Sequence, residues 1–432
     1  MALHTHTPAR LVGCNVFKRS NPRSDAFDTL DFHHLEIIAP DAASVSGHWA
    51  NALGLERIAI SDRTTGNHAY VSHVLRSGTL VVVISAPYDT AAAPPADDAA
   101  AVAYDAASAP NPHFTSESMR RFLGEHGLSA CAVGLRVADA AAAFEASVAR
   151  GAEPRAEPRT HSGCIVSEIK LYGDVALRFV SGDALDDGSL AFLPGYVAAR
   201  GEAAGTYGIE RVDHVVGNVP ELLPAVDYLQ RACGFHEFAE FTAEDVGTVD
   251  SGLNSMVLAT NNERVLLPIN EPTLGSKRKS QILTYIEQHH GPGVQHVALK
   301  TGDIFATVRA MRQARGGFSF MERPSEAYYA KLPARLGAGL TAEQVAQCQE
   351  LGILADKDDH GVLLQIFTKP VGDRSTLFFE IIQRVGCMID DSGQELEEQL
   401  AGCGGFGKGN FSELFKAIER YETKAGLNVV GA

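Results

Sequence analysis

The chain of 432 residues predicts an α+β fold: four βαβββ modules that cup into two open barrels, followed by a C-terminal helix. Three observations carry that expectation. Four segments, beginning at Phe32, Ala130, Arg211 and Gly293, each run from a short apolar strand through a turn into an amphipathic helix. His34, Ala132, His214 and His296 fall at one equivalent position of those first strands, and the last two steps, 132 to 214 and 214 to 296, are each 82 positions. After each helix come runs of β-branched, aliphatic and aromatic residues, the composition of strands that line a barrel or half-barrel.

Taken in order, the first module opens on FHHLEIIAPDAASVSGHWANALG and closes on LVVVISA, with an Ala/Pro-rich surface insertion at Ala91–Ala107. The second runs from ACAVGLRVADAAAAFEASVARG to VALRFVS, and the stretch near Ser181–Gly208, poor in periodicity, reads as a linker. RVDHVVGNVPELLPAVDYLQRACG and VLLPIN bound the third module; GVQHVALKTGDIFATVRAMRQARGG, GVLLQIF and LFFEIIQR form the fourth, with a variable loop around Arg323–Leu332. Each helix stops at or near glycine. The expected units are 30–190 (N-terminal, without metal), 205–400 (C-terminal, catalytic) and 401–432 (lid helix and tail). In the last, Gly402, Gly404, Gly405, Gly407 and Gly409 make a hinge, Asn410 and Glu413 have capping-box spacing, and Phe411, Leu414, Phe415 and Ile418 share one apolar face. An ordinary terminal helix packed on the core is the competing reading.

Composition narrows the function. Hydrophobic residues make up 45% and charged residues 21%, an ordinary globular balance. A formal charge of −16 disfavours nucleic acid and anionic membranes as partners. Seven widely spaced cysteines without a CxxC pair argue against a disulfide framework or zinc ribbon and for a reducing compartment. No apolar run is long enough for a membrane span or a signal peptide; a weak organelle-transit reading of the first ~25 residues stays open.

The chemistry sits in the second half. Registering the closing strands aligns Val83, Arg178, Pro268 and Glu380, so only the fourth module has an acid there. A carboxylate among Phe378, Phe379, Ile381 and Ile382 is costly to bury unless it meets a cation. One His from module three, one from module four and this Glu can converge: His214, His296 and Glu380 form a 2-His-1-carboxylate set, which leaves open positions on Fe(II). A lone strand His is ordinarily a hydrogen-bonded core residue; three such residues at repeat-equivalent places are harder to dismiss. The first half has His34 but Ala132 and Val83 or Arg178 elsewhere, so it is expected to be a metal-free duplicate kept for structure or dimer contacts. GCGGFGKG lacks the Ser or Thr of a phosphate loop, the basic run Lys277–Lys279 reads as solvated or as an anion-steering patch, and His289–His290 read as a helix end.

RVDHVVGNV, EFTAEDVGTVDSGLNSMVLA, VLLPINEP, KRKSQILTYIEQHHGPGVQHVAL, GVLLQIFTKP, FFEIIQRVGC and GGFGKGNFSELFKAIE together resemble the 4-hydroxyphenylpyruvate dioxygenases, the plant and algal type above all, densely from residue 207 to 418. The resemblance implies the vicinal oxygen chelate fold and Fe(II) on His214, His296 and Glu380. It implies a polar pocket of Ser255, Asn270, Gln281, Gln295 and Gln365, and walls of Phe367, Phe378, Phe406, Phe411 and Leu414. Phe367 and Phe411 are the expected stacking faces. The three glutamines are expected to act on the reacting substrate, although Gln295, adjoining His296, has the competing role of orienting that ring. The implied reaction consumes 4-hydroxyphenylpyruvate and O₂ and gives homogentisate and CO₂. That places it in tyrosine and phenylalanine catabolism, upstream of tocopherol and plastoquinone in photosynthetic organisms. A cytoplasmic or plastid homodimer is implied as well. A 4-hydroxymandelate synthase, an extradiol catechol dioxygenase and a non-catalytic iron- or ligand-binding protein are the alternatives.

Overall fold

The computed structural model describes residues 9–13, 16–88, 111, 114–199, 205–246, 252–273, 278–359, 361–389, 398–399 and 401–428. The Ala91–Ala107 insertion lies outside them.

The first module is β1 (Thr29–Ile38), α1 (Ala42–Leu53), β2 (Glu56–Ser61), β3 (Tyr70–Ser77) and β4 (Leu80–Pro87). The second is α2 (Ser116–His126), β5 (Ser129–Val137), α3 (Ala140–Ala149), β6 (Pro154–His161), β7 (Cys164–Tyr172) and β8 (Val175–Ser181), with β9 (Val197–Ala198) after it. The third is β10 (Ile209–Asn218), α4 (Leu222–Cys233), β11 (His236–Phe241), α5 (Ala243–Val246), β12 (Leu253–Ala259) and β13 (Leu266–Pro272). The fourth is α6 (Gln281–His289), β14 (Gly293–Thr301), α7 (Ile304–Gln313), α8 (Glu326–Leu336), α9 (Ala342–Leu351), β15 (Leu354–Lys357), β16 (Gly361–Phe367) and β17 (Phe378–Gly386). β18 (Met388–Ile389), β19 (Glu398–Gln399) and α10 (Phe411–Lys424) complete the chain.

The repeat is visible in the caps. Asp41, Asp139 and Asp303 each accept amide bonds that start α1, α3 and α7, and Gly54 and Gly234 end α1 and α4 in the left-handed region. It is also visible in the pairing. Each module's first strand runs parallel to its own last strand, and the two first strands of a sheet pair antiparallel: β1 with β5, β10 with β14. Two curled sheets follow, ordered β6-β7-β8-β5-β1-β4-β3-β2-β9 and β11-β12-β13-β10-β14-β17-β16-β15. Gly134 pairs with Arg178 and Ala298 with Glu380, so the alignment of closing strands read from sequence is the register of the fold.

Three expectations need correction. The stretch read as linker is partly structural: β9 pairs with β2, and Phe192 and Leu193 are buried on the first sheet. The segment read as a loop around Arg323–Leu332 is mostly helix α8, capped by Ser325 and tolerant of Pro333. Cys387 and Cys403, expected as thiols, are disulfide-bonded with Cα atoms 5.9 Å apart, both sulfurs lying at the start of β16. Glycine at 361 makes room there, since a Cβ would collide with both sulfurs.

Residues 9–13 and 16–26, weakly read as part of a transit segment, lie as a strap along the second unit: Ala9 N donates to Asp227, Val12 N to Glu240 and Asn261 N to Asp25. One hydrophobic core runs through both sheets, with Trp49 packed edge-on to Phe379 and Phe27 to Phe235. No helix among the described residues is long and apolar enough to cross a membrane.

Candidate metal centre

Residues two apart on a strand share a face. On β17 that rule sends Glu380 and Arg384 into the second cup together. β10 and β14 lie side by side at its centre and contribute His214 and His296. Nε2 of His214 is 3.2 Å and Nε2 of His296 3.4 Å from the same carboxylate oxygen, Oε2 of Glu380. All three ligand atoms lie within 4.8 Å of one another. His214 and Glu380 are 4% and 3% exposed.

The other nitrogen of each ring is already committed. Nδ1 of His214 meets Oδ1 of Asp213 at 2.8 Å, and Nδ1 of His296 meets Oε1 of Gln295 at 2.8 Å. Neither acceptor can donate, so both Nδ1 atoms carry a proton and both Nε2 atoms point inward, each able to hold either a proton shared with Glu380 or a metal ion. A register shift between Val212 and His214 breaks the strand alternation and lets adjacent Asp213 reach the ring. Burial would raise Glu380, but its bonds to His214 and His296 hold it down at about 2. Burial likewise opposes a charge on His214, yet the bonds to Asp213 and Glu380 prevail and raise it; at His296 burial prevails and lowers it. An ionised carboxylate and two inward Nε2 atoms aimed at one point fit a divalent cation, and the donor set is that of non-haem Fe(II).

Above the three ligands opens a cavity of about 620 Å³, its mouth included. Every residue expected at the site lines it: the three ligands; Ser255, Asn270, Gln281, Gln295 and Gln365; Phe367, Phe378, Phe406, Phe411 and Leu414. Ser255 on β12 pairs with Asn270 on β13. Oε1 of Gln281 is buried without a partner. Phe378 stacks on His296 at 4.9 Å, Phe406 meets His214 edge-on at 5.4 Å, and Phe411 packs on Phe241 at 5.5 Å. Gln295 makes the ring contact that its orienting alternative requires, and it also faces the cavity. Asn410 does not cap α10: its backbone is already helical and its side chain accepts from Tyr328 Oη at 2.8 Å and from Arg335 at 3.0 Å. Glu413 pairs with Lys416 instead. Arg278, in the run read as solvated, bonds Thr423 Oγ1 and the Asn428 carbonyl beside α10.

Sequence reasoning missed Asp213 and Arg384. Asp213 lies in RVDHVV, an acid in an apolar strand, and the burial logic that singled out Glu380 applies equally to it.

The first cup is filled differently. Arg178, at the register of Glu380, puts Nη1 2.8 Å from Nε2 of His34 and 2.6 Å from Glu36, and Nε 2.6 Å from Glu168. A fixed guanidinium stands where the second cup presents a carboxylate. Among the described residues one other cluster, Glu125, His126 and Asp174, has metal-like spacing, but its carboxylates are exposed and His126 Nδ1 meets the His289 carbonyl.

Comparison with known proteins agrees in sequence and in shape. Residues 111–189 match the family model described as hydroxyphenylpyruvate dioxygenase, HPPD, N-terminal; residues 211–365 match the glyoxalase/bleomycin resistance protein/dioxygenase superfamily. The 4-hydroxyphenylpyruvate dioxygenase of Hordeum vulgare is 54% identical over 94% of this chain and 90% of its own length. Those of Daucus carota and Arabidopsis thaliana are 53% and 51% identical, each over 96% of this chain and 92% of the relative. A solved mutant of 4-hydroxymandelate synthase from Streptomyces coelicolor superposes with a TM-score of 0.70 at 24% identity, over 91% of this chain and 99% of that one. At that identity the likeness speaks for the fold.

Proposed function

The chain belongs to the 4-hydroxyphenylpyruvate dioxygenase family, and on that premise we propose that His214, His296 and Glu380 hold one ferrous ion in its second cup. It is a dioxygenase that converts 4-hydroxyphenylpyruvate and O₂ to homogentisate and CO₂. The observation that supports the metal assignment is the commitment of both Nδ1 atoms, which leaves two imidazole Nε2 atoms and an ionised carboxylate facing one point.

Bound there, ferrous iron supplies the activation of O₂ and a positive centre for the keto acid. The protein supplies position and dryness. Gln281 presents a buried amide oxygen with no partner, suited to a phenol O–H. Ser255, Asn270 and Gln365 add uncharged hydrogen-bonding groups around the ring and keto acid. Phe378, fixed against His296, helps wall the ring, with Phe367 and Phe411 as its stacking faces. Phe406, Phe411 and Leu414 close the mouth, so that water is kept from reactive species. Loss of CO₂ and oxidation of the ring supply the four electrons that O₂ takes up, so the balance needs no organic cofactor. A cytoplasmic or plastid homodimer is the quaternary reading that family resemblance supports; sedimentation and cell fractionation test it.

The deciding experiment is anaerobic reconstitution with Fe(II), then addition of substrate and air. Equal molar O₂ uptake, CO₂ release and homogentisate are expected. Hydroxymandelate as product would move the chain to the alternative activity. Iron binding with O₂ uptake at background would make it a binding protein.

A further inference from the structure

Arg384 lies on β17 four residues beyond Glu380, on the same face of the strand, and its side chain is 1% exposed. Its guanidinium divides between two tasks. Nε and Nη2 form a fork on Asp213, at 2.9 and 2.7 Å. Nη1 donates to the carbonyls of Cys403 and Gly405, at 2.6 and 2.7 Å. Asp213 in turn holds Nδ1 of His214. Phe406, carried by the same glycine-rich turn, packs on the face of Arg384 at 5.6 Å and edge-on to His214. The disulfide to Cys387 ties that turn to the end of β17.

We propose that Arg384 is a positioning residue that couples docking of the 402–406 turn to the posture of His214, and that the Cys387–Cys403 bond clasps the turn in its docked place. The physical reason is that one buried cation serves both Asp213 and the turn. A planar fork can satisfy Asp213 and two carbonyls only when the turn is in place. With the turn withdrawn, Arg384 follows its carbonyl partners or takes water, and Asp213 loses the charge that fixes its orientation. A supporting partner of a metal-bound His is worth about 10–100-fold in metal affinity. The clasp adds a chemical handle. A dithiol such as dithiothreitol can give two electrons and two protons to the Cys387–Cys403 bond, becoming a cyclic disulfide while both cysteines become thiols. This proposal rests on the reading of His214 as a metal ligand.

The test measures two quantities on the full chain: anaerobic affinity for Co(II), read from its d–d absorption, and hydrogen exchange of the amides in 402–411. Failure of the wild type to bind Co(II) would overturn the metal reading itself. If the wild type binds, R384Q is expected to weaken Co(II) about 10–100-fold, alter the d–d spectrum, and speed exchange in 402–411 at least about tenfold. R384K retains a buried charge in case R384Q fails to fold. Its single nitrogen cannot reproduce the two-nitrogen fork on Asp213 and also reach both carbonyls, so exchange should quicken while metal affinity recovers in part. Treatment with dithiothreitol, and the C387S/C403S variant, should speed exchange and weaken Co(II) in the same direction. Unchanged Co(II) affinity in R384Q and R384K would overturn the coupling, as would weakened affinity with 402–411 fully protected. Reduction that moves neither quantity would overturn the clasp.

Discussion

Arg178 is 3% exposed and lies between Glu36, Glu168 and His34. Replacing it with Met keeps the volume but strands two buried carboxylates, a situation that costs about 3–5 kcal/mol. R178M is therefore expected to lower the unfolding free energy by that order in urea titrations; a loss under about 1 kcal/mol would show that the pairs add little. The contrast with Glu380 explains what was legible at single residues. An acid alone in an apolar strand announces a cation, and the repeat supplied the two histidines that share it. Asp213 carried the same signal, but its reach to His214 depends on a register shift that alternation cannot forecast. The partners of Arg384 lie on a turn 19 and 21 residues beyond it, which no local pattern connects to it.

At the level of elements, the strands and first helices were readable because apolar periodicity and Asp or Gly punctuation recur in each module. The insertion in the fourth was not: α8 contains Pro333, which reads as a breaker. The C-terminal segment was half legible. Its apolar face is as expected, with Phe411, Leu414, Phe415 and Ile418 all at the cavity. Its start is set by tertiary contacts of Asn410 rather than by a cap. Deleting residues from Gly402 onward is expected to leave a folded chain, its far-UV circular dichroism reduced only by the share of α10, with no homogentisate formation; full activity in the truncated enzyme would contradict the lid. The N-terminal strap makes a separate prediction. Asp25 is pushed up to about 6 from 3.8, chiefly by burial, against the pull of the Asn261 amide. A folded-state pKa above the unfolded one means that protonation favours folding, so this group's stabilising effect is complete below about pH 4 and is lost as pH rises through about 6. D25N should melt higher than wild type at pH 7.5 and converge on it near pH 3.5. Equal melting temperatures at both would remove Asp25 from the pH response.

For the whole molecule, duplication yields two cups but one core. Trp49 of the first unit packs on Phe379, one residue from the proposed ligand Glu380, and the strap crosses from the first strand to the second sheet. The cups are expected to unfold in one calorimetric transition; two resolved transitions would contradict the shared core. Through that coupling the first unit, whose cup Arg178 fills, is a packing platform for the second. The most direct test of the central claim is anomalous diffraction at the iron edge from crystals grown anaerobically with Fe(II). One strong peak in ligand contact with Nε2 of His214, Nε2 of His296 and a carboxylate oxygen of Glu380 is expected. Iron elsewhere, or bound by fewer than these three side chains, would contradict it.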